Sequence, residues 1–377
     1  MDPLTRYSFF SLVFLVGLSS CQKDAEDPSD VASAGVPAEE IDTATGSAGS
    51  DGLEEEEPLS AVTDEREDGR LDVVAWVPSW RPSEWQEALA AEWATGEHSP
   101  RDTVTAIAAQ FFVAQEDGAV VFDGTASTEN LQWVKEYTAT NQMDFLLCIH
   151  NNDGDTNANP QGWNWQLAKK AFADSQSAHI DALVALVDEW DADGIDIDYE
   201  GYENIDGEEA RAKYGVSAQN NYYRAEFASF LEELGSRLHE KGKLLTVDIL
   251  GHKWNQPNAE WMGDWVDSVD QINPMTYESG GDAQYDWDDY RFQQDRALTA
   301  GYKAHQYMFG MTSSKGEWGN DAGFGTSVLG HLEENLSGEF NQEPAPVAIW
   351  SGLFENDAWR EPEVWDALHE LSHSSKE

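Results

Sequence analysis

Positive charge is scarce in this 377-residue chain: 22 lysines and arginines stand against 72 aspartates and glutamates, a formal net charge of -50. Such a field repels phosphate backbones and anionic membrane surfaces, which excludes nucleic acid as a partner. A neutral sugar polymer meets no such repulsion. Cysteine is nearly absent as well. Cys21 and Cys148 are too few for a disulfide framework. Cys148, inside the apolar run Phe145–Ile149, reads as a buried thiol rather than a nucleophile. Aromatics are missing from residues 22–70, where Asp, Glu, Ala, Gly, Ser and Pro dominate and Glu54 to Glu57 are consecutive. A segment of that kind cannot bury enough apolar surface to fold alone and is expected to be a disordered acidic tether. Its end-to-end distance is on the order of 40 Å, more if its charges repel.

The apolar run Phe9–Leu18 is too short to span a bilayer, which takes roughly 20 residues. With Arg6 before it and small residues after it, the run reads as an export signal. Leu18-Ser19-Ser20-Cys21 resembles the bacterial lipobox, in which the cysteine is lipidated and becomes the new N-terminus. The expected divisions are therefore a lipoprotein signal peptide over 1–20, the lipidated Cys21 and a disordered linker over 21–70, and a folded domain over 71–377. Gln22 is not a retention aspartate, so the expected location is the outer membrane or cell surface, with the membrane touched only through the lipid.

Beyond residue 70 the composition changes. The chain is 40% hydrophobic with 16 tryptophans, enough for a large core. Short apolar runs recur at Leu71–Val77, Thr103–Val113, Asp144–His150, Gly194–Tyr199, Leu244–Leu250, Gln271–Tyr277, His305–Met311 and Pro346–Trp350. Helical spacing lies between several of them: Ile180, Leu183, Val184, Val187 and Trp190 form one stripe, and Tyr223, Phe227, Phe230, Leu231, Leu234 and Leu238 another. Eight strands alternating with helices predict an α/β fold, the (β/α)8 TIM barrel. A doubly wound open sheet would carry a glycine-rich turn after its first strand, and Val77-Pro78-Ser79-Trp80 is not one.

The sharpest feature is Asp193-Gly194-Ile195-Asp196-Ile197-Asp198-Tyr199-Glu200. Side chains alternate along a strand, so Asp196, Asp198 and Glu200 share one face and Ile195, Ile197 and Tyr199 the other. In a barrel the acidic face lines the lumen, where stacked carboxylates share protons and titrate as a group. Glu200, last in the series, falls at the C-terminal rim where barrel active sites lie. Burial there suits it to be a general acid. An exposed acidic strand is excluded by the intervening isoleucines. The spacing of Asp191, Asp193 and Asp196 does not match a calcium loop.

This segment resembles the signature of family 18 glycoside hydrolases, Asp-Gly-x-Asp-x-Asp-x-Glu, with every fixed position filled. The resemblance extends over residues 71 to about 370. It implies retaining hydrolysis of β-linked N-acetylglucosamine glycans with substrate assistance, an exception to the two-carboxylate scheme. Glu200 would protonate the glycosidic oxygen, and Asp198 would hold the acetamido N–H of the sugar. Asp196 would share a proton with Asp198, and Tyr277 would orient the acetamido oxygen. Asn273-Pro274-Met275-Thr276-Tyr277-Glu278 is similar to the family's Met-x-Tyr-Asp/Asn motif, with Glu278 as the departure.

Asp193, Met275, Glu278, Trp350 and Trp80 complete the expected sugar contacts, with Trp350 as the floor under the reacting ring. Trp76, Trp85, Trp163, Trp165 and Trp254 are further ring-stacking candidates. Cys148-Ile149-His150-Asn151 replaces the family's Ser-x-Gly-Gly, so the pocket wall is altered there. His150 is as readily a structural residue as a ligand contact. The span Met311–Pro346 is too short for the large α+β insertion of processive members, which points to endo action. No metal or cofactor is implied, although Asp153 and Asp155 leave calcium binding open in their loop. A monomer acting on chitin-type oligomers is expected. An endo-β-N-acetylglucosaminidase on N-linked glycans, a peptidoglycan substrate and a non-catalytic chitinase-like lectin are the alternatives.

Overall fold

The computed structural model describes residues 71–90, 98–154, 162–200, 223–250, 261–275, 287–313, 332, 345–354 and 357–374. Cys21, the tether, Asp155, Trp254, Tyr277, Glu278 and the region of the expected missing insertion lie outside them. Among the described residues no helix is long and apolar enough to cross a membrane.

Among the described residues nine strands form one sheet: β1 (Val73–Pro78), β2 (Ala106–Ala114), β3 (Val120–Phe122), β4 (Asp144–His150), β5 (Gly194–Asp198), β6 (Leu244–Leu250), β7 (Gln271–Met275), β8 (Phe309–Thr312) and β9 (Val347–Trp350). All except β3 run parallel, in the order β7-β6-β5-β4-β2-β1-β9-β8. The two ends of that path meet. Tyr307 bridges Ile272 in parallel, and the Met308 N–H donates to the Ile272 carbonyl at 3.0 Å. Eight parallel strands thus form the (β/α)8 barrel expected from the apolar spacing.

The extra strand β3 folds back antiparallel on β2. It was not legible as a strand because it is three residues long and mostly exposed. The following helix, Thr128–Asn141, is the crossover that connects β2 to its parallel neighbour β4. Ser127 caps it by accepting from the Asn130 N–H, and Gln142 closes it in the left-handed conformation.

Two apolar populations follow from the strand alternation. Ile195, Ile197 and Tyr199 belong to the larger cluster between sheet and helices. That cluster also holds the expected stripes of helix Gln176–Trp190 and helix Arg224–His239. Val74, Trp76, Ala106, Ala108, Leu146, Cys148, Met308 and Ala348 form a smaller cluster on the opposite face of the strands. Three alanines there leave lumen volume for larger polar side chains from β5, β6 and β7. Trp85 and Trp165 are buried in the outer cluster, which corrects their reading as sugar-stacking rings: their faces are covered by the core.

Behind the signature strand, Tyr199 meets His179 of helix Gln176–Trp190 at 2.6 Å, and the other ring nitrogen lies 2.9 Å from the Gly118 carbonyl. A carbonyl can only accept, so Nδ1 carries the proton and Nε2 accepts from the Tyr199 hydroxyl. Burial pushes His179 down from 6.5 to about 4, against the opposing pull of the Gly118 carbonyl. In the unfolded chain the ring protonates near pH 6.5; in the fold it does not until about pH 4. Stability is therefore complete above pH 6.5 and falls by about 3 kcal/mol as pH drops to 4. Denaturant titrations should show the advantage of wild type over His179→Gln shrinking by that amount between pH 7 and pH 4.

Candidate active site

The lumen is polar where the chemistry of the signature requires it. Asp196, fully buried on β5, is surrounded by donors. Trp76 Nε1 reaches one carboxylate oxygen at 2.8 Å, while Thr246 Oγ1 and Asn273 Nδ2 reach the other at 2.5 and 3.2 Å. Cys148 is the register partner of Asp196 on β4. One layer higher, Asp198 accepts from Gln110 Nε2 at 2.9 Å. Glu200 lies two residues further, just past the end of β5, and is 8% exposed.

A fourth carboxylate joins them. The register pairs Asp196 with Thr246 and Ile197 with Val247, which sets Asp248 of β6 level with Asp198. Burial, reinforced by the negative charges of Asp196 and Asp198, holds Asp248 well above the ordinary carboxylate range. Burial raises Asp196 too, but its four hydrogen-bonding neighbours oppose this. Asp248 is thus the carboxyl of the pair that burial pushes up further, and it stands where it can share a proton with Asp196. Asp196 thus has a proton-sharing partner that the sequence reading did not identify; an isolated aspartate in the apolar run Leu244–Leu250 was the available signal.

In the fold Asp248 keeps its proton, whereas the unfolded chain ionises it near pH 4. Its contribution is favourable below that pH and becomes increasingly unfavourable as pH rises. Asp248→Asn should therefore melt higher than wild type at pH 7, with the gap closing toward pH 3. Thermal melts at the two pH values check this.

Cys148, Asp198 and Asp248 bring three ligand-type atoms within 4.8 Å of one another. The set is a poor cation site. Burial and the neighbouring aspartates push the Cys148 thiol up, and Asp248 is held neutral, so a metal would have to displace two protons in a buried pocket.

The remaining expected contacts separate. Trp350 ends β9 beside Trp76 and packs, half-buried, on the lumen cluster. Trp80 follows β1 at the same end of the barrel and is 37% exposed, with the Arg81 guanidinium 5.7 Å from its ring. Met275 ends β7 and is buried. Asp193 is corrected: it precedes β5, at the end of the barrel opposite Glu200, and its carboxylate accepts from the Phe145 N–H at 2.9 Å. Seven extended residues separate the two by roughly 20 Å, so Asp193 braces the β4–β5 edge and cannot touch a sugar bound at the rim.

At that rim His150 belongs to a polar cluster with Asp123, Ser79 and Thr125. Its Nε2 lies 3.6 Å from Asp123, whose carboxylate also accepts from Ser79 Oγ at 2.9 Å and the Thr125 N–H at 2.7 Å. Burial works against Asp123, but His150 and these donors hold it well below the usual range. Trp163 packs edge-on against His150 at 6.2 Å.

An eight-stranded parallel barrel with a buried carboxylate series ending at its C-terminal rim has the site where barrel enzymes carry theirs. Residues 73–370 match the family model "Glycosyl hydrolases family 18", and the chain belongs to that family of glycoside hydrolases. No curated protein matches it. The fold is similar to that of a chitinase from Chromobacterium violaceum, at 15% identity and TM-score 0.57, over 80% of this chain and 99% of that one. A class V chitinase from Pseudomonas fluorescens gives 14% and 0.58 over 80% and 99%. The spore cortex-lytic enzyme SleL of Bacillus megaterium gives 12% and 0.57 over 80% and 74%. At such identities the likeness is one of fold.

Proposed function

We propose that the protein hydrolyses β-1,4-linked N-acetylglucosamine glycans, cutting within the chain and retaining anomeric configuration by substrate assistance. The observation that carries this reading is the carboxylate series Asp196, Asp198 and Glu200 on the signature strand, with Asp248 buried level with Asp198 on the neighbouring strand. Glu200 donates a proton to the glycosidic oxygen. The acetamido oxygen of the same sugar attacks the anomeric carbon, the glycosidic bond breaks, and an oxazolinium forms. Asp198 accepts the acetamido N–H and balances the positive charge. Glu200, now a carboxylate, takes a proton from the water that opens the ring.

The donors around Asp196 and the proton on Asp248 keep negative charge on the two central carboxylates within bounds, so that Asp198 can remain an acceptor. Tyr277 is assigned to orient the acetamido oxygen, with Trp350 as the floor and Trp80 as a rim contact. The two chitinases of like fold support the choice of sugar. Export through the segment before Cys21, with lipid attached at that residue, would place the site on a tether at the cell envelope.

The deciding measurement is release of fluorophore from chitobiose and chitotriose conjugates by the purified protein, beside a high-mannose glycopeptide and peptidoglycan fragments. Turnover of the conjugates, with the β-anomer appearing first by NMR, is the expected result. Cleavage confined to the glycopeptide would reassign the enzyme as an endoglycosidase, and cleavage confined to peptidoglycan would move the substrate there. Sugar binding without turnover of any substrate would leave a lectin.

A further inference from the structure

We infer that Asn151 is the positioning residue for Glu200, holding the backbone of the catalytic acid through a two-point clamp from the neighbouring strand. This rests on the hydrolytic reading above and adds a residue to it. β5 leaves the sheet after Asp198. Its last registered pair with β4 is His150 with Asp198, and its last with β6 is Ile197 with Val247. Glu200, which is buried, lies two residues past the last registered pair with β4. Unpaired buried peptide groups are costly and would leave the residue free to find other partners.

Asn151, the residue after β4, bonds both main-chain groups of Glu200. Its Oδ1 accepts from the Glu200 N–H at 2.9 Å, and its Nδ2 donates to the Glu200 carbonyl at 2.7 Å. A primary amide presents one acceptor and one donor in a plane, as a peptide does, so the side chain extends the β4–β5 ladder where the main chain cannot. The amide orientation is fixed by its partners, because a carbonyl must face the N–H and an NH2 the C=O. Asp matches only one of the two bonds when ionised, and Ser, Ala and Gly cannot reach both.

The clamp is itself held. Asn151 is fully buried, and its carbonyl accepts from the Asn164 N–H at 2.9 Å. The adjacent Asn152 pairs with Trp163. The two ends of the loop after β4 thus fix the clamp. A general acid must meet the leaving oxygen within a hydrogen-bond distance. A backbone fixed on both sides restricts where the Glu200 carboxyl can swing.

A residue acting through the acid should matter in proportion to how much the leaving group needs a proton. Asn151→Ala should lower kcat/KM about 10–100-fold on chitotriose, whose sugar leaving group must be protonated. On a dinitrophenyl conjugate, whose phenolate leaves without help, the loss should stay below about threefold. The Kd for a non-hydrolysed thio-linked oligomer should be unchanged. Asn151→Ser, uncharged and small enough for the buried site, should give a loss of similar size with the same dependence on leaving group, and it decides the matter if the alanine variant does not fold. Equal losses on both substrates, or no loss on chitotriose, overturn the clamp while the hydrolytic reading stands. A wild-type protein inert on both substrates overturns that reading, and the clamp with it.

Discussion

Glu200→Gln is expected to lower hydrolysis of chitotriose by about 10²–10⁴-fold, the usual contribution of a positioned acid and base. The substitution keeps the shape of the side chain and removes only its ability to give and take a proton. Both halves of the proposed reaction use that ability, first on the glycosidic oxygen and then on water. Glu200 is 8% exposed, so bulk water is poorly placed to replace it. Its main-chain bonds to Asn151 do not involve the carboxyl group, so the fold and the clamp should survive. Binding of the thio-linked oligomer should be retained within about threefold, since the loss falls on transition-state rather than ground-state contacts. Steady-state rates beside calorimetric binding check this. A variant within tenfold of wild type would show that another group supplies the proton.

Gly194→Ala should be the most damaging single-methyl change on the signature strand. Gly194 opens β5, and an added Cβ there would lie 2.5 Å from the Leu244 carbonyl oxygen, 2.9 Å from Leu244 Cβ and 3.0 Å from Leu146 Cδ2. The first of these is main chain and cannot rotate away. Leu244 is also tied to β5 by its N–H, which donates to the Asp193 carbonyl at 2.8 Å. Relief requires β5 and β6 to move apart, and that motion also separates Asp196 from Thr246. Overpacking of a well-filled core costs typically 1–3 kcal/mol, and more where backbone must shift. A loss of about 3 kcal/mol corresponds to a drop of roughly 6–12 °C in Tm. A melt within about 2 °C of wild type would show that the ladder yields more easily than its geometry implies. The glycine of the signature is thus explained by space between strands rather than by backbone conformation.

The alternation of apolar runs with helical stripes was enough to place all eight barrel strands, because a parallel strand covered on both faces reads as an uninterrupted apolar run. The same alternation put Ile195, Ile197 and Tyr199 on the helix side and Asp196 and Asp198 in the lumen. What the sequence by itself determined is therefore the order of elements and the face each side chain takes, since both follow from local period. The partners across strands were not legible. Asp248, Gln110, Asn273 and Trp76 come from four other strands, separated by up to 120 residues from the aspartates they meet.

Asp193 shows the same limit from the other side. It sits in the signature, next to the strand, yet the direction of that strand carries it to the far end of the barrel. Asn151 stood in the sequence only as part of an altered pocket wall. Its role appears when β4 and β5 lie side by side and β5 ends two residues before Glu200. Tertiary structure decided these matters because hydrogen bonds and shared protons depend on distances below about 3.5 Å, and a register between remote segments is set only when the barrel closes.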